Sequence, residues 1–340
     1  MSGFDPLLEA ARSGRALTRA EMRAATGFLL DGGVADEDIA AFLLALKARG
    51  ETVEEIVAAA EAMRARALTV IAPDDAIDVC GTGGDGAHTF NVSTAVAFIV
   101  AGSGVPVAKH GNRAASSRSG TADVLQALGV NIEAAPETTA RAIREAGVGF
   151  MWASHHHKAF AQVAAVRKKL GVRTIFNALG PLTNPAGARR QLVGVYDRAL
   201  IAPLATALAE LGAARAWVVA GADGLDELTT TGPSFVAEAH DGAVTMFTVT
   251  PEDAGLPRAA ADDLKGGNPA ENAAALLALL DGAPGPYRDI AVLNAAAALI
   301  VAGKSASLRE GAMLAARALD EGRAKAALAG LVAISNGRPA

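Results

Sequence analysis

The sequence predicts an α/β fold: a small all-helical domain leading into a large α/β domain whose strands run mostly parallel. Three observations predict it. Residues 5–67 carry helical periodicity and helix caps and no strand signal. Residues 76–108 read strand, glycine loop, helix, strand, a βαβ unit that requires parallel pairing. Beyond them, short apolar runs alternate with helical stretches as far as one hairpin signal at Asp241-Gly242.

In the helical part, Thr18 with Glu21 and Thr52 with Glu55 have the spacing of capping boxes. Ile39, Phe42, Leu43 and Leu46 fall on one helical face, and Gly32-Gly33 and Gly50 are stops. Leu68 to Asp75 is the boundary. Ala76-Ile-Asp-Val-Cys80 is short and apolar, as a buried parallel strand should be. Gly81-Thr-Gly-Gly-Asp85 cannot continue that strand, because glycine punctuates it and opens positive φ. Ser93 to Ala101 is a buried helix and Val105 to Ala108 the next strand. Ala114 to Gly120 is a loop. Thr121 to Leu128, closed by Gly129, and Glu137 to Ala146, opened by Pro136, are helices. Gly149 to Trp152 is a strand. A helix runs through Arg167, Lys168 and Lys169. Thr174 to Ala188, interrupted by Gly180-Pro181 and Asn184-Pro185, is largely irregular. Leu192 to Tyr196 and Ala216 to Ala220 are strands around the helix Ala199 to Leu211. Phe235 to His240 and Val244 to Val249 pair through Asp241-Gly242 as a hairpin. The remainder is helical: Pro269 to Leu280 behind an Asn268 cap, Ile290 to Ala302, and Leu308 onward.

The chain has 340 residues, enough for a sizeable core, and is 51% hydrophobic with 20% charged residues, so it folds rather than staying disordered. A net charge of −5 argues against nucleic acid or an anionic membrane surface as partner. The one cysteine, Cys80, excludes a disulfide within the chain and suits a reducing cytoplasm. The N-terminus lacks a signal-peptide pattern, and apolar runs such as Ile290 to Ala302 are too short to span a bilayer. The expected localisation is cytoplasmic.

The glycine loop faces the N-terminus of the following helix, where free N–H groups and the dipole favour phosphate, and Ser93 and Thr94 add hydroxyls there. The plain alternative is a tight turn and nothing more. Lys109-His-Gly-Asn-Arg113, at the end of the next strand, weighs against that, since neighbouring parallel strands share one crevice at their C-terminal ends. Lys109 suits a phosphate contact. Arg113 suits either a ligand or a structural ion pair. Asp226-Glu227, after the strand Ala216 to Ala220, suits Mg²⁺, a hard ion held by few carboxylates and by phosphate oxygens, or is a solvated acidic turn. Asp85 could reach a metal-bound water or tie down the loop, while Asp78 orients the loop from inside the strand. His155-His-His157 is not a zinc site, because adjacent side chains diverge and no helical His pair or cysteine cluster supports them. One of the three faces a pocket. Arg167, on a helix with Val163, Val166 and Leu170, either joins the exposed Lys168 and Lys169 or turns inward to fork a carboxylate. No Gly-x-Ser-x-Gly elbow, Cys/His pair or HExxH is present, so nothing indicates covalent catalysis. The residues alone describe a Mg²⁺-assisted enzyme acting on a phosphorylated ligand.

Taken together, Gly81-Thr-Gly-Gly-Asp85, Asn91-Val-Ser-Thr94, Lys109-His-Gly-Asn-Arg113, Ser119-Gly-Thr-Ala-Asp123, Val166-Arg167, Asn177 to Pro185 and Asp226-Glu227 resemble the anthranilate phosphoribosyltransferase family of tryptophan biosynthesis. The resemblance runs from the helical N-terminus to about Leu331. It implies an all-helical small domain, residues 1–72 with about 158–184 returned to it, on an α/β domain of residues 73–157 and 185–340 with a mostly parallel central sheet. It also implies a homodimer through the small domains. Gly81, Thr82, Gly83, Gly84, Asp85, Thr89, Asn91, Ser93, Thr94, Lys109, Ser119, Gly120 and Thr121 would hold phosphoribosyl pyrophosphate. Ser93, Asp226 and Glu227 would hold Mg²⁺. Gly81, His110, Asn112, His157, Arg167, Gly180 and Pro181 would bind anthranilate, with His110 and His157 along its access path and Lys109, Asn112 and Arg167 as the catalytic set. Thr121 stands where serine is common, Ser154 and Ala165 where proline is frequent, and Ala161 replaces a longer side chain near the access path. The implied reaction moves the phosphoribosyl group to the amine of anthranilate. That amine is neutral and nucleophilic, which fits the lack of an obvious general base; Asn112 could orient it. A nucleoside phosphorylase and a non-catalytic, nucleic-acid-binding relative are the rival readings, disfavoured by the acidic pair with Lys-His-Gly-Asn-Arg and by the negative charge with intact motifs.

Overall fold

Four helices open the chain: α1 (Asp5–Arg12), α2 (Arg19–Asp31), α3 (Asp36–Arg49) and α4 (Val53–Arg64). The computed structural model describes residues 3–114 and 118–339. Both capping boxes form: the Thr18 and Thr52 hydroxyls accept from the amides of Glu21 and Glu55, whose carboxylates take the threonine amides in return. Glu55 does more than cap. It is fully buried, accepts from the Leu17 amide at 2.9 Å and pairs with Arg49 at 2.6 Å, so one carboxylate joins three segments of the bundle.

A seven-stranded sheet follows, in spatial order β3-β2-β1-β4-β5-β6-β7. Its strands are β1 (Ile77–Gly81), β2 (Val107–Gly111), β3 (Val148–Trp152), β4 (Arg190–Gly194), β5 (Arg215–Gly221), β6 (Ser234–His240) and β7 (Ala243–Val249). The first five are mutually parallel; β6 runs antiparallel to β5, and β7 antiparallel to β6. The β6–β7 hairpin turns on Asp241 and Gly242, both at positive φ as a two-residue loop needs. The middle strands are buried on both faces. Ile77, Val79, Leu192, Trp217 and Val219 join one core cluster, and Cys80, Val193, Ala216, Val218 and Ala220 the other, in strict alternation.

The first cluster is covered by α5 (Val92–Gly102), α6 (Thr121–Ala127), α7 (Pro136–Glu145) and the C-terminal helices. Ala153–His156 forms a single turn, α8, and α9 (Ala161–Leu170) and α10 (Phe176–Leu179) come next. Val163 and Val166 of α9 and Phe176 and Leu179 of α10 share the second cluster with Phe42, Leu43 and Leu46 of α3. Lys169 also pairs with Asp36 at 2.8 Å and Gln162 donates to the Val34 carbonyl, so α9 is fastened to the N-terminal helices. α11 (Ile201–Glu210) covers the other face beside β5, and α12 (Pro269–Leu280), α13 (Pro286–Val301), α14 (Leu308–Asp320) and α15 (Arg323–Ser335) complete the fold.

Several elements differ from the sequence reading: β2 runs Val107–Gly111, two to three residues later than the expected Val105 to Ala108, which takes Lys109, His110 and Gly111 into the strand. β4 starts at Arg190 and ends at Gly194, two residues earlier than expected. Thr174 to Ala188 is more ordered than its breakers suggest: Phe176, Leu179 and Leu182 are buried, and their burial folds the stretch into α10 and a 3₁₀ turn, Gly180–Thr183. α13 begins at Pro286, a favoured first position for proline. The segment from Leu308 is two helices, parted by Gly322 at φ 71°. Residues 115–117 of the expected 114–120 loop lie outside the described residues. No helix among the described residues is long and apolar enough to cross a membrane.

Candidate active site

After β1, the chain adds β2 and β3 on one side and then returns to place β4 and β5 on the other. The order reverses between β1 and β4, and in open α/β sheets the crevice beyond the strands' C-terminal ends at that point is where ligands bind. Gly81 and Gly194 are the last residues of those two strands. Neither tolerates a side chain. A Cβ on Gly194 would lie 1.5 Å from the Asp226 carbonyl oxygen, and one on Gly81 would lie 2.3 Å from the Asp226 carboxylate. The acidic segment after β5 is thus laid across both strand ends.

From there Asp226 reaches the glycine loop and accepts the Gly83 amide at 2.7 Å. Gly83 and Gly84 sit at φ 65° and 83°, a conformation that side chains resist. The loop is fixed at its other points too. Thr82 donates its amide to Gly194 O and accepts from the Tyr196 amide, Asp85 accepts from Ala87, and Thr89 bridges to Lys265. Among the described residues the amides of Gly84, Asp85 and Gly86 have no acceptor. They are the donors left for a phosphate.

The first turn of α5, expected to offer such donors, is already occupied. The Asn91 carbonyl takes the amides of Thr94 and Ala95, and Glu227 faces that of Ser93. Thr94 is fully buried and its hydroxyl meets that of Thr121 at 3.2 Å, so it backs the loop from beneath. Asn91 is clamped by Asn272 at 2.8 Å, by the Tyr287 hydroxyl on its carbonyl and by its own bond to Ser119 O. Asn272 and Tyr287 lie far along the chain and carry no motif, which is why sequence reasoning missed them. Gly120 brings its backbone so close to residues 112–114 that a Cβ would sit 2.3 Å from the Ala114 nitrogen.

Lys109 is 2% exposed and donates to Val79 O at 2.6 Å and Ser93 Oγ at 3.2 Å. Burial lowers its pKa, while Asp78, Glu227 and Asp226 work in the opposite direction. Asp78 is fully buried and does not orient the glycine loop as expected. It accepts the His110 amide and the Asn184 side chain, bracing β2 against the turn after α10. Asp226 and Glu227 are half-buried, and both carboxyls are pushed well above the usual range, Asp226 to about 7. Burial is the main cause, and the crowding of Asp85, Asp226 and Glu227 adds to it. Among the described residues no three His, Cys, Asp or Glu side chains form a closed metal site. Two carboxylates and the Ser93 hydroxyl, all oxygen and more negative than Lys109 offsets, nevertheless fit Mg²⁺, which keeps waters and shares substrate phosphates.

On the other side of the crevice, Arg167 turns inward. Its Nε donates to Thr174 Oγ1 at 3.1 Å and its Nη2 to Asn177 Oδ1 at 2.9 Å, and the rings of Phe160 and Phe176 lie 5.6 and 5.8 Å from its guanidinium carbon. Thr174 and Asn177 hold one edge of the guanidinium, leaving Nη1 and the second Nη2 proton for a ligand. Among the described residues no carboxylate partners it, and burial lowers its pKa. A part-buried cation without a counterion calls for an anion. His110 and His157 are buried and meet edge to face at 5.4 Å, with His157 Nε2 on Thr183 O and His110 beside the Gly180 carbonyl. Pro181 is buried, and its carbonyl accepts from the Gln191 side chain at 2.8 Å. Arg113 resolves as a structural residue, paired with Asp123 at 2.7 Å. Arg173, which sequence reasoning passed over, links the two sides: its guanidinium donates to Gly84 O and lies 3.6 Å from the Tyr196 ring centroid.

Fold and crevice together define a transferase scaffold of the glycosyl transferase class: residues 5–67 match that family's helical bundle domain and residues 73–325 its a/b domain. At 59% identity over 338 residues, 99% of each chain, the sequence is similar to the anthranilate phosphoribosyltransferase of Parvibaculum lavamentivorans. The fold superposes on the crystal structure of the Thermus thermophilus anthranilate phosphoribosyltransferase with a TM-score of 0.93, at 46% identity and covering 97% of this chain and 99% of that one. It is also similar to the Saccharomyces cerevisiae enzyme in complex with PRPP and Mg (TM-score 0.88, 27% identity, 98% of each chain). The chain belongs to the anthranilate phosphoribosyltransferase family.

Proposed function

We propose that the crevice moves the 5-phosphoribosyl group from phosphoribosyl pyrophosphate to the amine of anthranilate, releasing pyrophosphate. The reading rests on one arrangement: Lys109 donates to the Ser93 hydroxyl beside Glu227, while Arg167, held by Thr174 and Asn177, has no carboxylate partner among the described residues. Residues 81–85, Thr89, Asn91, Ser93, Lys109, Ser119, Gly120 and Thr121 hold the donor, with Thr94 behind them. The free loop amides and Lys109 take the diphosphate oxygens. Asp226, Glu227 and Ser93 hold Mg²⁺, which when bound stabilises charge on the departing diphosphate.

Arg167 binds the acid group of anthranilate, with Asn112, Gly81, Gly180 and Pro181 about it and His110 and His157 on the access path. It sets the amine on the face of C1 opposite the leaving group, so the transfer inverts C1. The reaction then needs positioning and charge stabilisation rather than a protein nucleophile. We read the protein as a cytoplasmic homodimer that binds no nucleic acid, joined through a small domain of residues 1–72 and about 158–184.

The test is loss of anthranilate fluorescence in the presence of phosphoribosyl pyrophosphate and Mg²⁺. Loss that needs both supports the assignment. Persistent fluorescence, with phosphorolysis of a pyrimidine nucleoside instead, would replace it with the phosphorylase reading.

A further inference from the structure

Trp152 ends β3 directly beside Gly111, the end of β2, which places its indole against the next residue, Asn112. Three donors converge on Asn112 Oδ1: Trp152 Nε1 at 3.0 Å, the Arg113 amide at 2.9 Å and the Ser154 hydroxyl at 3.4 Å. An indole N–H and a backbone N–H can only donate, so the atom facing them is the amide oxygen and Nδ2 is turned away. Asn112 is exposed at the C-terminal edge of the sheet, and neither Nδ2 proton has an acceptor among the described residues. The indole is itself held. The Arg113 guanidinium lies 5.3 Å from its ring centroid and is anchored on α6 through Asp123 at 2.7 Å and Gln126 at 2.8 Å. Asp123 in turn takes the amides of Ala114 and Gly120, so the brace reaches the donor-side loop.

We propose that Trp152 is a positioning residue for the acceptor: it locks Asn112 as a pure hydrogen-bond donor, and Nδ2 takes the acceptor's carboxylate alongside Arg167. This rests on the transferase reading of the crevice. The chemistry selects the acid over the amine. A donor aimed at the amine would occupy the lone pair that must attack C1, whereas one aimed at the carboxylate adds a charge-assisted bond and leaves the lone pair free. Ser154 contributes in the same direction, since its hydroxyl needs the oxygen to stay where it is.

Steady-state kinetics of the full-length protein with Mg²⁺, phosphoribosyl pyrophosphate and anthranilate test it. Trp152→Phe keeps the ring and removes the donor. It should raise the KM for anthranilate about tenfold, the scale of one lost bond to a charged group, with the donor KM unchanged. In an Asn112→Ala background the same substitution should add nothing, because its effect runs through Asn112. Asn112→Asp keeps the oxygen and its three donors but puts a second oxygen where Nδ2 stood, and should impair anthranilate binding more than Asn112→Ala. An unchanged anthranilate KM in Trp152→Phe, equal shifts in both KM values, additivity with Asn112→Ala, or an Asn112→Asp enzyme no worse than Asn112→Ala would each overturn the proposal. Wild-type protein without anthranilate-dependent turnover would instead remove the transferase reading beneath it.

Discussion

The Gly83 amide donates to Asp226 at 2.7 Å, although 143 residues separate them in the chain. That bond joins the loop that offers free amides to the segment that offers carboxylates, and it exists because Gly194 and Gly81 leave room for Asp226 over the ends of β4 and β1. Gly194→Ala should therefore act at a distance. Its Cβ would overlap the Asp226 carbonyl, forcing the acidic segment away from the loop. We expect turnover to fall about 10²-fold or more, with the Mg²⁺ concentration for half-maximal rate raised. Gly232→Ala, which meets nothing within 4 Å, is the control. Equal kinetics in both variants would refute the argument.

Arg167→Ala should raise the KM for anthranilate by about 10- to 10²-fold, the cost of a lost hydrogen-bonded charge pair, and leave that for phosphoribosyl pyrophosphate nearly untouched. Arg167→Lys should recover little, because Thr174 and Asn177 grip the planar edge that lysine lacks. Equal shifts for both substrates would contradict an acceptor-side role.

Much of this was legible in the sequence wherever the cause is local. The capping boxes at Thr18 and Thr52, the glycine loop after β1 and the Asp241-Gly242 hairpin each depend on a few neighbouring residues. What was not legible depends on strands being side by side. The two-residue shift of β4 reflects its pairing with β1, Arg190 opposite Ile77 and Gly194 opposite Gly81. The first turn of α5 looked open to phosphate because Glu227, which faces it, arrives from beyond β5. Asp78 looked like a loop-orienting residue because Asn184, its partner, is 106 residues away. Arg173 on Gly84 and Trp152 on Asn112 are of the same kind: residues brought against the motif loops by topology.

Asp226→Asn combined with Glu227→Gln should abolish the Mg²⁺-dependent part of turnover while the fold persists, since the substitutions remove two crowded, part-buried charges. In the wild type both carboxyls have raised pKa values and hold protons more readily than free carboxyls, so binding a cation must expel protons. Mg²⁺ should accordingly bind more tightly as pH rises from about 6 to 8. A calorimetric titration checks both statements: an unchanged Mg²⁺ response in the double variant would take these residues out of the metal site.

His110 and His157 give the fold an acid sensitivity of predictable sign. Both are buried and neutral, and burial pushes His110 down to about 3 and His157 to about 4, with the neighbouring histidines adding to the effect. Among the described residues no carboxylate bonds either ring: His157 meets the Thr183 carbonyl, His110 lies by the Gly180 carbonyl and the His157 ring, and Asp78 takes only the His110 backbone amide. Below about pH 6.5 the unfolded chain takes up protons that the folded chain refuses. Stability is therefore whole at pH 7.5 and is lost as pH falls, by up to roughly 1.4 kcal/mol for each histidine by pH 5.5. Replacing both by glutamine should lower the melting temperature at pH 7.5 but flatten its decline between pH 7.5 and 5.5. Thermal unfolding followed by circular dichroism across that range decides it, and a double variant whose melting temperature falls as steeply as the wild type's would show that the acid loss arises elsewhere.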